Sequence, residues 1–530
     1  MLTEHIEQKE KTQKREVIAD YVIRYGQRVS LDDLVETAIP GRKIALDPDS
    51  RTRVIRSREK LEEFVHNERV IYGVNTSVGG FVNYLLLTDQ ARLLQKNLIN
   101  AVATNVGDYL DDHAVRAIML SRIVSLARGN SAISIENLDK LIAMFNAGVI
   151  PCIPEKGSLG TSGDLGPLAS IALVGVGQWK ARFKGQQLSG SVALQQAEIS
   201  PMELSYKEGL ALINGTSGML GLGAVIFGEA QRLLARYITV SALSFEGLAG
   251  KNKPFDPRVH QLKSHAGQLE IAEKLWELLA GSRLIVSEEE VEKILNAERD
   301  GTARPSRFQI EDAYSIRCTP QILGPVLDSL KSIQKTLEDE LNSSSDNPLI
   351  LPDEDEVFHN GHFHGQYVAM AMDHLVISLV TLCNLSNRRI DRFLDARNNP
   401  VLPPFLCSKD AGIRLGLMGG QFMTASLTAE NRSLAMPVSI QSLTTTADFQ
   451  DIVSFGFVAA RRARDVLINT KYVVAFELMC ACQAVDIRGV EGVSPKTLPL
   501  YESVRKLVPF LDEDVTITDY VEAIRQECLA

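Results

Sequence analysis

The chain has 530 residues, a formal net charge of −10 and 45% hydrophobic residues, enough to bury a large core and more than one domain. Acidic and basic residues are interspersed along it, which argues against a nucleic-acid or membrane surface as the main partner. Its seven cysteines show no framework spacing, the usage expected of reduced thiols in a cytoplasmic protein.

In chain order, residues 1–15 are charged from Glu4 onward and lack the apolar core of a signal peptide. A glycine-rich loop follows at 72–80, with Gly73, Gly79 and Gly80 free to let it fold as a lid. At 157–169 the string Gly-Ser-Leu-Gly-Thr-Ser-Gly-Asp-Leu-Gly-Pro-Leu-Ala sets a glycine at every third position, a tight loop whose exit Pro167 stiffens. Residues 180–187 and 357–363 alternate as short hairpin pieces. The uncharged run 209–228 has the length of a membrane span, but its glycines and Asn214, Thr216 and Ser217 fit a buried turn leading into a core helix.

The charged segment 288–307, with Gly301 and Pro305, reads as a mobile loop. Apolar residues then recur at three and four over 325–341 and 373–394, and 455–488 is a further long helix. Helices with more than one apolar stripe suit packing against other chains as well as their own. The expected architecture is mainly α: a smaller mixed N-terminal domain at 1–215, carrying the Tyr72 loop and the 157–169 loop, and a long-helix bundle at 216–530.

The centre of the 157–169 loop carries the most distinctive chemistry. In Thr161-Ser162-Gly163 the amide nitrogen of Gly163 is free of Cβ hindrance and can add to the carbonyl carbon of Thr161, losing water to close a five-membered ring. Loss of the Ser162 hydroxyl as a second water leaves an exocyclic methylidene, an electrophile made without added cofactor. Alone, such a tripeptide is far more often an ordinary glycine/serine loop. A phosphate cradle has no support, since the chain contains no Gly-x-x-x-x-Gly-Lys-Ser/Thr run. His359, His362 and His364 are not completed by cysteines or patterned acids to a common zinc spacing, so no metal is expected.

The whole 157–169 string closely resembles the prosthetic-group loop of the aromatic amino acid ammonia-lyases and aminomutases. Further matches lie in order at Tyr72-Gly-Val-Asn-Thr76, Asn214-Gly-Thr216, Asp312-Ala-Tyr-Ser-Ile-Arg-Cys318, 342–348, Phe363-His-Gly365 and Gln450-Asp-Ile-Val-Ser454. The resemblance implies the superhelical fold of the histidine and phenylalanine ammonia-lyases. It also implies a homotetramer whose active sites are shared between subunits, and a 4-methylidene-imidazol-5-one formed from Thr161, Ser162 and Gly163, with no metal or nucleotide.

It further implies Tyr72 as the base for the β-proton, and Tyr314 as a second tyrosine near the prosthetic group. Asn214 is the expected donor to the imidazolone oxygen and Arg317 the clamp for the substrate carboxylate, assisted by Asn347. Phe363 is expected beside the substrate.

For the substrate, histidine and tyrosine enzymes of the family place a histidine at the segment corresponding to Ala101-Val102, and this chain has none. Leu98, Val102, Leu415 and Phe422 are expected to make an apolar pocket that favours phenyl, because a buried unpaired hydroxyl is costly. Histidine ammonia-lyases also carry Glu at Gln450. Thr161 in place of alanine, Ser77-Val78 in place of Gly-Phe, and Phe449 before Gln450 resemble the bacterial phenylalanine aminomutases of antibiotic pathways. Glu311, where most members carry Gln, places an acid near Arg317.

The expectation is therefore a phenylalanine 2,3-aminomutase working through an amine adduct and cinnamate, with the S enantiomer of β-phenylalanine implied by resemblance. The alternatives are a phenylalanine ammonia-lyase, then a tyrosine or histidine enzyme, or a catalytically silent helical scaffold.

Overall fold

Long helices with buried apolar faces dominate the chain, as their periodicity predicts. The structure, a computed structural model, describes residues 19–299, 301–303 and 309–529. The charged N-terminal segment 1–15 lies outside the described residues. The described residues form two compact units.

The first unit gathers the described residues of Met1–Ala224 with two returns of the chain, Glu338–Gly365 and Ser442–Ser454. The single division expected at 215/216 differs from this grouping by those two returns. The unit is mixed, with helices such as Pro48–His66, Thr88–Ala101, Asp112–Ala127 and Leu165–Gly175 among small sheets. Pro48 opens its helix directly after the N-cap Asp47, where a missing N–H costs nothing.

The hairpin expected at 180–187 is present. Lys180–Phe183 pairs antiparallel with Gln186–Ser189, and Lys184 and Gly185 both take positive φ, as a two-residue hairpin turn needs. The hairpin expected at 357–363 is present only in part. Glu356–Phe358 pairs with Leu349–Leu351, and the chain then leaves the sheet as Asn360 turns back onto the Asn347 side chain.

The uncharged run 209–228 is buried up to its last residue, Gly228, which is half-buried. It holds the short helix Glu208–Ile213, a turn at Asn214–Thr216 and the start of the helix Ser217–Gly247.

The second unit takes Val225–Leu337, Gln366–Gln441 and the described part of Phe455–Ala530. Its core is the pair of long helices Gln366–Leu394 and Gly456–Arg488, with Gly420–Leu434 and Thr518–Glu527 packed on them. Gln366–Leu394 is long and apolar enough to cross a membrane, yet 72% of its most apolar stretch is buried inside the protein, as in a core helix. Near its C-terminal end Arg389 is fully buried against Glu477 at 3.2 Å and also donates to Ser241, Thr319 and the carbonyl of Ser315.

Two expectations need correction here. Residues 288–298 are a helix, Glu288–Glu298, and not a loop. The Ser287 hydroxyl accepts from the N–H of Glu290, and three glutamates occupy the first turn, where negative charge is favoured. The charges thus mark a helix start. Residues 300 and 304–308, including Pro305, lie outside the described residues.

The helix expected to open at Pro325 begins earlier, at Thr319, and carries Pro325 inside it. Likewise the helix expected from 373 starts at Gln366.

Candidate active site

The loop 157–169 lies in the first unit, and its centre is held by backbone contacts with Asn214-Gly215. Gly163 bridges to Gly160 and Gly215, and the Asp164 N–H donates to Gly215 O at 2.8 Å. A Cβ at Gly163 would sit 2.0 Å from Gly215 O, and its φ is +78°, so only glycine fits. Ser162 also takes a positive φ of 54°, uncommon for a residue with a side chain.

The carbonyl oxygen of Ser162 faces two donors, the N–H of Gly215 at 3.1 Å and the Asn214 side-chain amide at 3.5 Å. The other end of that amide, Asn214 Oδ1, is buried without a partner. Pro167 occupies the first turn of the helix Leu165–Gly175, where its lack of an N–H is tolerated.

Asp164 anchors the loop from below. Its carboxylate is fully buried and accepts from the Ser158 hydroxyl at 3.0 Å and the N–H of Met219 at 2.6 Å, at the N-terminus of the helix Ser217–Gly247. Burial raises its pKa from 3.8 to about 7, against the lowering effect of these donors. Glu340, hydrogen-bonded by the Thr216 hydroxyl, is raised as well, again by burial.

Two chambers open on Ser162, and Tyr72 and Asn214 line both. One, of about 650 Å3, is walled by Phe81, Leu98, Val102, Leu165 and Leu210 and reaches Thr161, Gly163 and Gln450; among the described residues no histidine and no charged residue lines it. The other, of about 640 Å3, includes Asn347, His359, Asn360, Phe363 and Phe449. Leu98 and Val102 both line the first chamber. Leu415 and Phe422 are not among the residues lining either chamber; they lie in the second unit, 49% and 70% exposed.

Tyr72 stacks on Phe449 with ring centroids 6.5 Å apart and planes 9° from parallel. Its hydroxyl oxygen accepts the N–H of Gly79 at 2.9 Å. Burial raises the phenol's pKa, and the Gly79 N–H lowers it by less. The pocket thus favours the neutral phenol, with the Gly79 N–H placed to steady its anion.

Gln450 reaches the loop itself: its side-chain N–H donates to the Ser162 hydroxyl at 3.1 Å. Asn347 accepts from the backbone of Asn360 at 2.8 Å, in the second chamber.

Tyr314 and Arg317 stand in the second unit, on the short helix Tyr314–Arg317. Tyr314 is 70% exposed, and the Arg317 guanidinium lies over its ring at 5.2 Å. Arg317 pairs with Glu311 at 2.5 Å, so the acid singled out in the sequence does meet the expected clamp.

Sequence reasoning missed five contributors. Gly215 gives the shorter bond to Ser162 O through its backbone, and backbone donors leave no mark in residue type. Buried Gln95 ties Gly73 O to the N–H of Leu210 and so fixes the Tyr72 loop. His359 accepts from the backbone N–H of Tyr72 at 3.0 Å. Thr445 and Thr446 both donate to Gln450. Gln95 opens the polar stretch Gln95-Lys96-Asn97, and nothing in the sequence sets it apart from its neighbours. Among the described residues no group of three histidines, cysteines or acids is arranged to hold a metal.

A mainly helical chain with a serine–glycine turn gripped at the meeting of two cavities has the layout of the ammonia-lyase and aminomutase enzymes. The family described as aromatic amino acid lyase matches residues 29–506. The structure of a Pantoea agglomerans phenylalanine aminomutase superposes with a TM-score of 0.95 at 63% identity, over 96% of this chain and 99% of that one. A tyrosine aminomutase from Streptomyces globisporus gives 0.92 at 36% identity, over 96% and 97% of the two chains. A histidine ammonia-lyase of Caldanaerobacter subterraneus is 40% identical over 93% of both sequences. The chain belongs to the aromatic amino acid lyase family, and its fold is that of the histidine and phenylalanine ammonia-lyases and the aminomutases.

Proposed function

We propose that the chain is a phenylalanine 2,3-aminomutase, converting L-phenylalanine to β-phenylalanine by way of cinnamate. The observation that carries this reading is the chamber over Ser162, apolar around Leu98, Val102 and Leu210 and free of histidine and charge. The wall at Leu98, Val102 and Leu210 suits a phenyl ring, and an imidazole or phenol tip set against these three residues would strand a polar atom. The 63% identity to a phenylalanine aminomutase supports the mutase half.

The residues present fit the methylidene-imidazolone. Only glycine is accommodated at 163, and the oxygen that would become the ring carbonyl already faces Gly215 and Asn214. Formed from Thr161, Ser162 and Gly163, the group supplies an electrophilic carbon that makes the amino group able to leave.

The chain's own residues do the rest. Asn214 and the Gly215 N–H hold negative charge on the Ser162 oxygen, as an oxyanion hole does. Tyr72 removes the proton from the substrate's β-carbon, with the Gly79 N–H steadying the phenolate. The mutase reaction moves nitrogen from the α- to the β-carbon and hydrogen the other way, so the same phenol returns its proton at the α-carbon. Its raised pKa makes it a willing donor for that return. In the shared-subunit arrangement that the family resemblance implies, Arg317, released from Glu311, supplies a two-pronged clamp for the carboxylate, and Asn347 assists. Tyr314 closes from the outer lid. Phe363 and Phe449 wall the second chamber, and Phe449 keeps Tyr72 flat by stacking.

A histidine ammonia-lyase is the second reading, favoured by the curated relatives of that name. Offering L-phenylalanine, L-tyrosine and L-histidine separately and resolving the products distinguishes the readings. β-Phenylalanine from the first is expected. Urocanate from histidine would establish the second reading, and cinnamate with ammonia alone would make the enzyme a phenylalanine ammonia-lyase. We also infer a cytoplasmic homotetramer that needs no metal.

A further inference from the structure

The Gln450 side chain is fixed in one orientation by three hydrogen bonds. The Thr446 hydroxyl donates to its Oε1 at 2.8 Å and the Thr445 hydroxyl to the same atom at 3.2 Å. With Oε1 taken up by the two threonine hydroxyls, the amide nitrogen points the other way. It donates to the Ser162 Oγ at 3.1 Å, the one side-chain oxygen that the 161–163 tripeptide must lose to become an electrophile.

The turn that brings these groups together is unusual. Thr446, Ala447 and Asp448 take φ values of 58°, 53° and 63° in succession. Non-glycine residues enter this region singly and at a cost. Thr446 also closes on the lid loop: a Cβ at Gly79 would meet its Cγ2 at 3.0 Å, and one at Gly80 its carbonyl oxygen at 3.1 Å. The loop thus spends conformational strain to aim one amide at one hydroxyl.

We propose that Gln450 is a catalytic residue of the chain's own maturation, the donor that lets the Ser162 hydroxyl depart, with Thr446 as its positioning residue. The proposal rests on the reading that residues 161–163 cyclise. Ring closure forms the bond from Gly163 N to Thr161 C and releases the first water, without involving Oγ. In the second dehydration the Ser162 Cα–H and Cβ–Oγ bonds break and the Cα=Cβ bond forms. The hydroxide that leaves takes up the Cα proton, so one water departs and no oxidant is needed. Hydroxide is a poor leaving group. A fixed N–H aimed at the oxygen where charge develops stabilises that step in the manner of an oxyanion-hole donor.

Intact-mass spectrometry of the full chain, sampled at intervals after synthesis, reads none, one or two waters lost. The wild type is expected to lose both. Gln450→Leu is expected to accumulate the species lacking one water, with the second loss slowed about a hundredfold, as when one oxyanion-hole donor is removed. Gln450→Met, similar in length and equally without a donor, guards against a packing defect peculiar to leucine and is expected to behave alike. Thr446→Val is expected to show the same stalled mass more weakly, and Thr446→Ser to restore wild-type timing, which a merely structural role would not produce. Loss of both waters from Gln450→Met at the wild-type rate would overturn the proposal. Loss of no water from the wild type would instead overturn the cyclisation on which it rests.

Discussion

At the scale of single residues, the account turns on a few atoms around Ser162. Gly163→Ala must place a methyl 2.0 Å from Gly215 O, so it is expected to abolish both dehydration and turnover, read by mass and by product formation. Tyr72→Phe is expected to lower kcat by about two to four orders of magnitude, the usual contribution of a positioned acid–base group, while leaving the dehydrated mass unchanged. Because burial raises the Tyr72 pKa, the active phenolate is scarce at neutral pH, and kcat/KM is expected to climb with pH through the alkaline range. A profile that falls there would exclude Tyr72 as the base.

Asp164 gives a stability test. Its folded pKa lies near 7, above the unfolded 3.8, so the folded state holds its proton more tightly. That contribution is full below the unfolded value and is lost as pH rises toward the folded one. The melting temperature of Asp164→Asn relative to wild type is therefore expected to rise between about pH 4 and 7 and then level off.

Most of this site was legible because motifs name side chains: Ser162, Gly163, Tyr72, Asn214, Gln450 and Asn347 all meet at the two chambers. What was hidden is what a sequence does not spell. The Gly215 N–H is a backbone donor, and the state of the Tyr72 phenol is set by burial and not by residue type.

At the scale of elements, buried polar centres hold the helices in place. Arg389, on the helix Gln366–Leu394, donates to Glu477 on Gly456–Arg488 and to Ser315 O and Thr319, at and beside the short helix that carries Tyr314 and Arg317. Replacing Arg389 with alanine leaves Glu477 buried without its cation, and is expected to cost about 3–5 kcal/mol in chemical denaturation. Helix positions were legible from period and length, as at 455–488. Starts were not, because the first turns of Thr319–Leu341 and Gln366–Leu394 carry polar residues or a proline that interrupts the stripe. At 288–298 charge was mistaken for a loop where it marks an acidic first turn.

At the scale of the whole molecule, the long helices keep apolar residues outward. On Gln366–Leu394, Tyr367, Met370 and Ile377 are 76%, 60% and 46% exposed and fall on one stripe, and Phe422 on Gly420–Leu434 is 70% exposed. Exposed apolar stripes of this kind mark contact surfaces. Helices that pack against other copies would present such stripes. Light scattering is expected to give four chains per particle, and Met370→Glu to shift the particle to smaller species with loss of turnover. A fully active monomer would contradict shared active sites.

The central claim is that the chain moves the amino group of L-phenylalanine from the α- to the β-carbon. The most direct test is to incubate the purified protein with L-phenylalanine labelled with heavy nitrogen in unlabelled ammonia buffer and to weigh the products. The account predicts β-phenylalanine that keeps the label. Cinnamate and labelled ammonia with no β-phenylalanine would contradict it.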